Sequence, residues 1–165
     1  MLVLGIDPGL AITGYGLVRE DNQRLVPLAY GAIRTPPKSS IAERLMQLHR
    51  ELSAILAEYR PDVAAVEELF FSTNARTAMA VGQARGVTLL TLAESGVRIV
   101  EYTPLQVKQA ITGYGGADKT QVQQMVCILL GLGQVPHPDD VSDALAVAIC
   151  HHHSARIAAL TDASR

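Results

Sequence analysis

The run Leu2-Val3-Leu4-Gly5-Ile6 is apolar at every position and then stops at Asp7. A strand with one wet face alternates; one that is apolar throughout is buried on both faces, in the middle of a sheet covered from both sides. A second short apolar run, Val63-Ala64-Ala65-Val66, stops at Glu67, and Asp140 and Asp143 open an Ala/Val/Leu/Ile-rich segment. A carboxylate at the end of a buried strand is costly to desolvate unless it is paired or bound to a cation. Three such sites, drawn from distant parts of the chain, point to one shared cation.

The pattern around these acids sets the organisation. After the Pro8-Gly9 break, Thr13 to Arg19 and Leu25 to Arg34 read as two further strands, with Asp21-Asn22-Gln23 as the turn between them. Connections this short favour antiparallel neighbours. Ser40 followed by Glu43 resembles a capping box. Ile41, Leu45, Leu48, Leu52, Ile55, Leu56 and Tyr59 then recur at helical spacing until Pro61. Crossing a helix to reach Val63–Glu67 predicts a parallel pairing with the first strand.

Residues 75 to 93 form a helix in which only Arg76 and Arg85 are charged, with Ala75, Ala78, Gly82, Gly86, Leu89 and Ala93 along one side. Such a helix must be covered on more than one side, by its own domain or by a partner subunit. Arg98 to Tyr102 reads as a fifth strand, and Thr103-Pro104 as an N-cap and first-turn proline for a helix to about Ile111. Asp118 with Gln121 opens another helix, and the Asp140 segment forms the last. The chain of 165 residues has no internal repeat or composition shift, so residues 1–156 read as a single domain and 157–165 as a tail. The order predicts an α/β fold: a five-stranded mixed sheet, three strands antiparallel and then two parallel, flanked by helices.

Several function classes fall away. No apolar stretch approaches the roughly 18 residues that a membrane helix needs, and the start is a poor signal peptide and a good first strand, so a cytoplasmic protein is expected. Cys127 and Cys150 lack ligand spacing and read as buried free thiols. His151-His152-His153 reads as a solvated helix end rather than a metal tract. A net charge of −2 argues against a basic DNA-coating protein without excluding an enzyme that acts on nucleic acid.

On the last helix Val141, Leu145, Ala148 and Ile149 make the buried stripe, and Asp140 and Asp143 lie within about 60° of each other at its margin. They can complement the helix dipole, as first-turn acids commonly do, or aim with Asp7 and Glu67 at one point. A carboxylate cluster suits Mg²⁺ or Mn²⁺ rather than Zn²⁺. Two such ions about 3.5–4 Å apart could activate water and stabilise the leaving oxygen of a phosphodiester. No nucleophile triad or Walker loop competes. An actin-like nucleotide-binding protein would need a second domain for which there is no room.

Together, Gly5-Ile6-Asp7-Pro8-Gly9 with Thr13-Gly14-Tyr15-Gly16, Val66-Glu67, Gly82-Gln83-Ala84-Arg85-Gly86-Val87, Gln106-Val107-Lys108-Gln109 and Asp140-Val141-Ser142-Asp143-Ala144-Leu145-Ala146 resemble the RuvC family of crossover junction endonucleases. The resemblance implies a ribonuclease-H-like fold and symmetric, metal-dependent nicking of four-way (Holliday) junctions in homologous recombination and DNA repair. A related nuclease acting on structured RNA is the alternative. It also implies a homodimer, partnership with the branch-migration proteins RuvA and RuvB, and Mg²⁺, two per subunit, with Mn²⁺ as a substitute. Asp7, Glu67, Asp140 and Asp143 carry over as the metal-binding and catalytic acids, and the resemblance selects Glu67 over Glu68, which the strand pattern does not. Lys119 carries over as catalytic, and Lys108 and Lys119 as phosphate contacts, against the plainer reading of solvated lysines. Phe70 matches an aromatic placed beside junction bases, although a core or interface role fits equally. Arg76 is a weaker candidate for DNA-backbone contact, and Arg85 could serve the backbone or the subunit interface.

Overall fold

The computed structural model describes residues 1–68 and 75–163, without the side chains of 75–77 and 162–163. Strand β1 (Leu2–Asp7) lies at the centre of a five-stranded sheet. It pairs antiparallel with β2 (Ile12–Asp21), which pairs antiparallel with β3 (Arg24–Arg34) at the edge. Pro27 in β3 faces Val18 beside a register shift, and an edge strand at an irregularity tolerates the missing amide donor. On the other side β1 runs parallel to β4 (Val63–Glu67), and β4 parallel to β5 (Arg98–Tyr102). Three antiparallel strands followed by two parallel ones is the arrangement expected.

Alternation along β1 divides the core into two. Leu4 and Ile6 face α1 (Ile41–Tyr59) and α2 (Ala75–Glu94), packing with Leu48, Leu52, Ala84 and Leu92. Val3 faces the other side, with α3 (Pro104–Thr112), α4 (Lys119–Leu130) and α5 (Asp139–Ala163). The helices start where local chemistry dictates. Ser40 with Glu43, Thr103 with Gln106 and Asp118 with Gln121 each form a reciprocal capping box, satisfying orphan amides at the first turns of α1, α3 and α4.

The structure corrects several expectations. The buried part of α5 is wider than a stripe: every residue from Ala144 to Cys150 is buried, as in a helix covered all round. The helix continues through Ala163, and its described side chains from 157 to 161 are exposed. His151 and His152 are each only 4% exposed, not a solvated end. His151 Nδ1 lies 2.8 Å from the Tyr102 hydroxyl. His152 Nε2 donates to the Val18 carbonyl at 3.0 Å, and His153 Nδ1 donates to that of Ala110 at 2.9 Å. The triplet ties α5 to β5, β2 and α3.

Both cysteines are free, and burial pushes the Cys150 thiol up to about 11. On α2, Leu89 turns partly toward the core, while Gly82 and Gly86 face open space, with Met79, Leu90 and Ala93 exposed.

Candidate metal centre and active site

Parallel pairing of β1 with β4 puts Ile6 opposite Val66. The next residues, Asp7 and Glu67, therefore emerge together at one end of the sheet. The turn after Asp7 is closed by Thr13, whose hydroxyl donates to the Gly9 carbonyl at 2.7 Å and accepts from the Gly9 amide at 3.3 Å. Helix α5 delivers Asp140 and Asp143 to the same end because the strands beneath it carry no side chains in its way. A Cβ on Gly14, the residue paired with Asp7, would collide with the Asp140 carbonyl oxygen, and one on Gly5 with that of Ala144. These close approaches need glycine.

The gathered charge is badly compensated. Burial, then the charges of Glu67, Asp143 and Asp140, push the Asp7 carboxyl up to about 8 against the opposing pull of Lys119. Burial and Asp143 push Glu67 up to about 7, with Lys119 and Lys108 pulling the other way. Asp143 is also raised, chiefly by burial, although Lys119 opposes this. Lys119, the first residue of α4, donates to Asp143 at 3.1 Å and to Asp139 at 3.2 Å. Burial disfavours its ammonium, but these two acids outweigh that and hold its pKa above the usual lysine value. A cleft of about 250 Å³ opens beside the group, lined by Glu67, Lys108, Lys119, Asp143, Pro104 and Val107 among others.

The side chains are coupled by charge but not closed on one point. Among the described residues, no group of three or more His, Cys, Asp and Glu is arranged to hold an ion as it stands. The donor chemistry nevertheless fits a hard divalent cation. Asp7, Glu67 and Asp143 are carboxylates whose ionised forms are penalised by burial and by neighbouring acids, and added positive charge would relieve that penalty.

Asp7, Glu67, Asp140, Asp143 and Lys119 thus come together, and Lys108 borders the same cleft. Phe70 lies outside the described residues, as does the side chain of Arg76, whose backbone belongs to α2. Sequence reasoning missed one contributor, Asp139, and one contact, that of Arg85. Asp139 shares Lys119 with Asp143, and its place one turn before Asp143 was the available signal. Arg85 reaches the backbone of Glu67, its Nη1 donating to the Glu67 carbonyl at 2.6 Å. Its place as one of two arginines in an otherwise apolar stretch, 75 to 93, was the hint, although sequence reasoning gave it to the DNA backbone or the subunit interface.

The profile of the family described as crossover junction endodeoxyribonuclease RuvC matches residues 3–151. The chain is 55% identical over 164 residues to the crossover junction endodeoxyribonuclease RuvC of Syntrophomonas wolfei, spanning 99% of this chain and 95% of that protein. It is 60% identical over 154 residues to that of Heliobacterium modesticaldum, spanning 93% and 95%. Among solved structures, that of T. thermophilus RuvC in complex with a Holliday junction substrate superposes with a TM-score of 0.87 at 36% identity, covering 95% of this chain and 96% of the other.

Proposed function

The chain belongs to the RuvC family of crossover junction endodeoxyribonucleases, and from that premise we propose how its acidic site cuts DNA. The enzyme resolves four-way junctions by hydrolysing phosphodiesters in homologous recombination and repair. Divalent metal ions are general to the family. In our reading the ion is Mg²⁺, two per subunit, with Mn²⁺ able to replace it. Asp7, Glu67, Asp140 and Asp143 would hold the ions, which would supply activation of water and charge neutralisation at the phosphate. What supports this is the charge imbalance: acids from two strand ends and one helix start face each other with Lys119 as their near counter-charge.

The remaining residues bind and orient. Lys108 and Lys119 border the cleft next to Glu67 and Asp143, where a DNA phosphate approaching the acids would meet their ammonium groups. Lys119 is also the group placed to stabilise negative charge as it develops on the phosphate. Phe70 and Arg76 stay as proposed DNA contacts on the strength of the sequence resemblance. We also propose a homodimer, because a four-way junction has two equivalent strands and a two-fold dimer presents two equivalent sites. The open side of α2 at Gly82 and Gly86 supports that arrangement. Gly82→Glu would then yield a monomer in solution, and a dimer of unchanged mass would remove α2 from the interface. RuvA and RuvB as partners and a cytoplasmic location belong to the same reading. Among the described residues no helix is long and apolar enough to cross a membrane.

The decisive experiment is cleavage of a synthetic four-way junction in Mg²⁺ by wild type and Asp7→Asn. Binding kept and cleavage lost is the expected result. Cleavage that survives in the variant, or in EDTA, would overturn the metal-site reading.

A further inference from the structure

Arg85 is the sole charged residue between positions 77 and 93, and its side chain is only 15% exposed. A guanidinium that far from water costs free energy unless its donors are matched. Nη1 donates to the backbone carbonyl of Glu67 at 2.6 Å, and Nη2 pairs with the Glu101 carboxylate. The carbonyl of Glu67 and the amide of Glu68 belong to one peptide group. That amide donates to the Tyr102 carbonyl at 2.8 Å. Both polar ends of the peptide leaving Glu67 are therefore held, one by α2 and one by β5. Glu101, which anchors the other arm of Arg85, is the neighbour of Tyr102 on β5. The result is a closed ring: Arg85, the 67–68 peptide, Tyr102, Glu101 and back to Arg85.

Glu67 needs such support. The pairing of β1 with β4 ends at Val66, so β1 does not brace the residue that carries the carboxylate. With β1 pairing ended, an unheld 67–68 peptide would leave the Glu67 side chain free to turn away from the other acids. We propose that Arg85 is a positioning residue: by clamping the 67–68 peptide it fixes the direction in which the Glu67 side chain enters the acidic site. This rests on Glu67 being one of the metal-binding acids, as inferred above. A lysine cannot replace it, because only the planar fork reaches a carbonyl and a carboxylate together.

The test compares wild type, Arg85→Gln, Arg85→Lys, Glu101→Gln and Glu67→Gln. The readouts are Mn²⁺ binding to DNA-free protein by electron paramagnetic resonance, junction affinity in EDTA, particle mass, melting temperature and the single-turnover cleavage rate at saturating junction. Arg85→Gln should weaken Mn²⁺ binding and slow cleavage by about 10–100-fold, the range for groups that orient metal ligands. Junction affinity and dimer mass should stay at wild-type values. Arg85→Lys should recover little, and Glu101→Gln should shift both readouts the same way by less. If Arg85→Gln does not fold, Glu101→Gln carries the test alone, and wild-type Mn²⁺ affinity in that variant overturns the proposal. Weaker junction binding in EDTA would instead make Arg85 a DNA contact, and a monomer would make it an interface residue; either result overturns the clamp. Failure of the underlying reading looks different: Glu67→Gln would then bind Mn²⁺ and cleave like wild type.

Discussion

Helix α5 buries ionisable groups at two places, and it treats them in opposite ways. At its start, Asp140 and Asp143 face Asp7 and Glu67, and the carboxyls of Asp7 and Glu67 are pushed up to about 8 and about 7 by burial and by other acids. Further along, His151 and His152 are each 4% exposed, and burial holds both pKa values below the ordinary 6.5. The histidines avoid the charge problem by staying neutral, each with a hydrogen bond to another element. The acids are treated otherwise: under the metal-site reading proposed above, an added cation would offset the burial and acid repulsion that disfavour the ionised forms of Asp7 and Glu67. One region spends stability to make a site; the other supplies it. Buried polarity alone therefore does not mark function. Polarity that repels its own kind does.

The sharpest way to break this contrast is to neutralise Asp7. Asp7→Asn removes a carboxyl that burial and three acids disfavour, so in EDTA the variant should be more stable than wild type by a few kcal/mol. A melting temperature several degrees higher would show it. Excess Mg²⁺ should then raise the melting point of wild type and leave the variant nearly unmoved. A variant that melts below wild type in EDTA would mean the acidic end is not under strain at all.

A smaller effect is expected at the glycine contact beneath the first turn of α5. Gly14→Ala places a methyl group against the Asp140 carbonyl, and overpacking of this kind costs about 1–3 kcal/mol. Denaturant titration should show the loss, and cleavage should fall with it because Asp140 is displaced. Unchanged stability would refute the close approach of α5 to β2.

The histidine end should give a response of similar size in stability but none in cleavage, so the smallest in function. His152→Phe keeps a ring but leaves the Val18 carbonyl without its donor, a loss of about 1–3 kcal/mol, with junction cleavage at low temperature unaffected. The pH dependence has a definite sign. Because the folded pKa values of His151 and His152 lie below 6.5, the unfolded chain takes up protons first as pH falls. Stability present above about 6.5 should then decline below it, by at most about 1.4 kcal/mol per pH unit for each histidine. His152→Phe should flatten that decline in melting curves between neutral and mildly acidic buffer. An equal slope in both proteins would remove His152 from the account.

What could be read from the sequence divides along the same line. Capping boxes at Ser40 and Asp118 and the proline after Thr103 are local, and each helix starts there. The uniformly apolar β1 announced a central strand, and acids at the ends of two buried runs announced a charged site. The histidines were misread because their partners are remote: Val18 lies 134 residues from His152, and Tyr102 lies 49 from His151. Three adjacent imidazoles look solvated until a fold brings carbonyls and a hydroxyl to them. The contact between Arg85 and Glu67 was hidden in the same way, since a backbone carbonyl leaves no trace in a pattern of side chains.

The histidine anchors also fix the phase of α5. Asp143 and His151 are eight residues apart, a span of about 12 Å along the axis, with each residue turning the helix by about 100°. Deleting or inserting a single residue between them would rotate one group away while the other kept its partners. The segment from 143 to 151 thus works as a gauge block whose length cannot drift, whereas the exposed turns beyond residue 156 can lengthen or shorten without moving an acid. Natural and designed variation in this helix should therefore change its composition freely at the far end and its residue count nowhere upstream of the histidines.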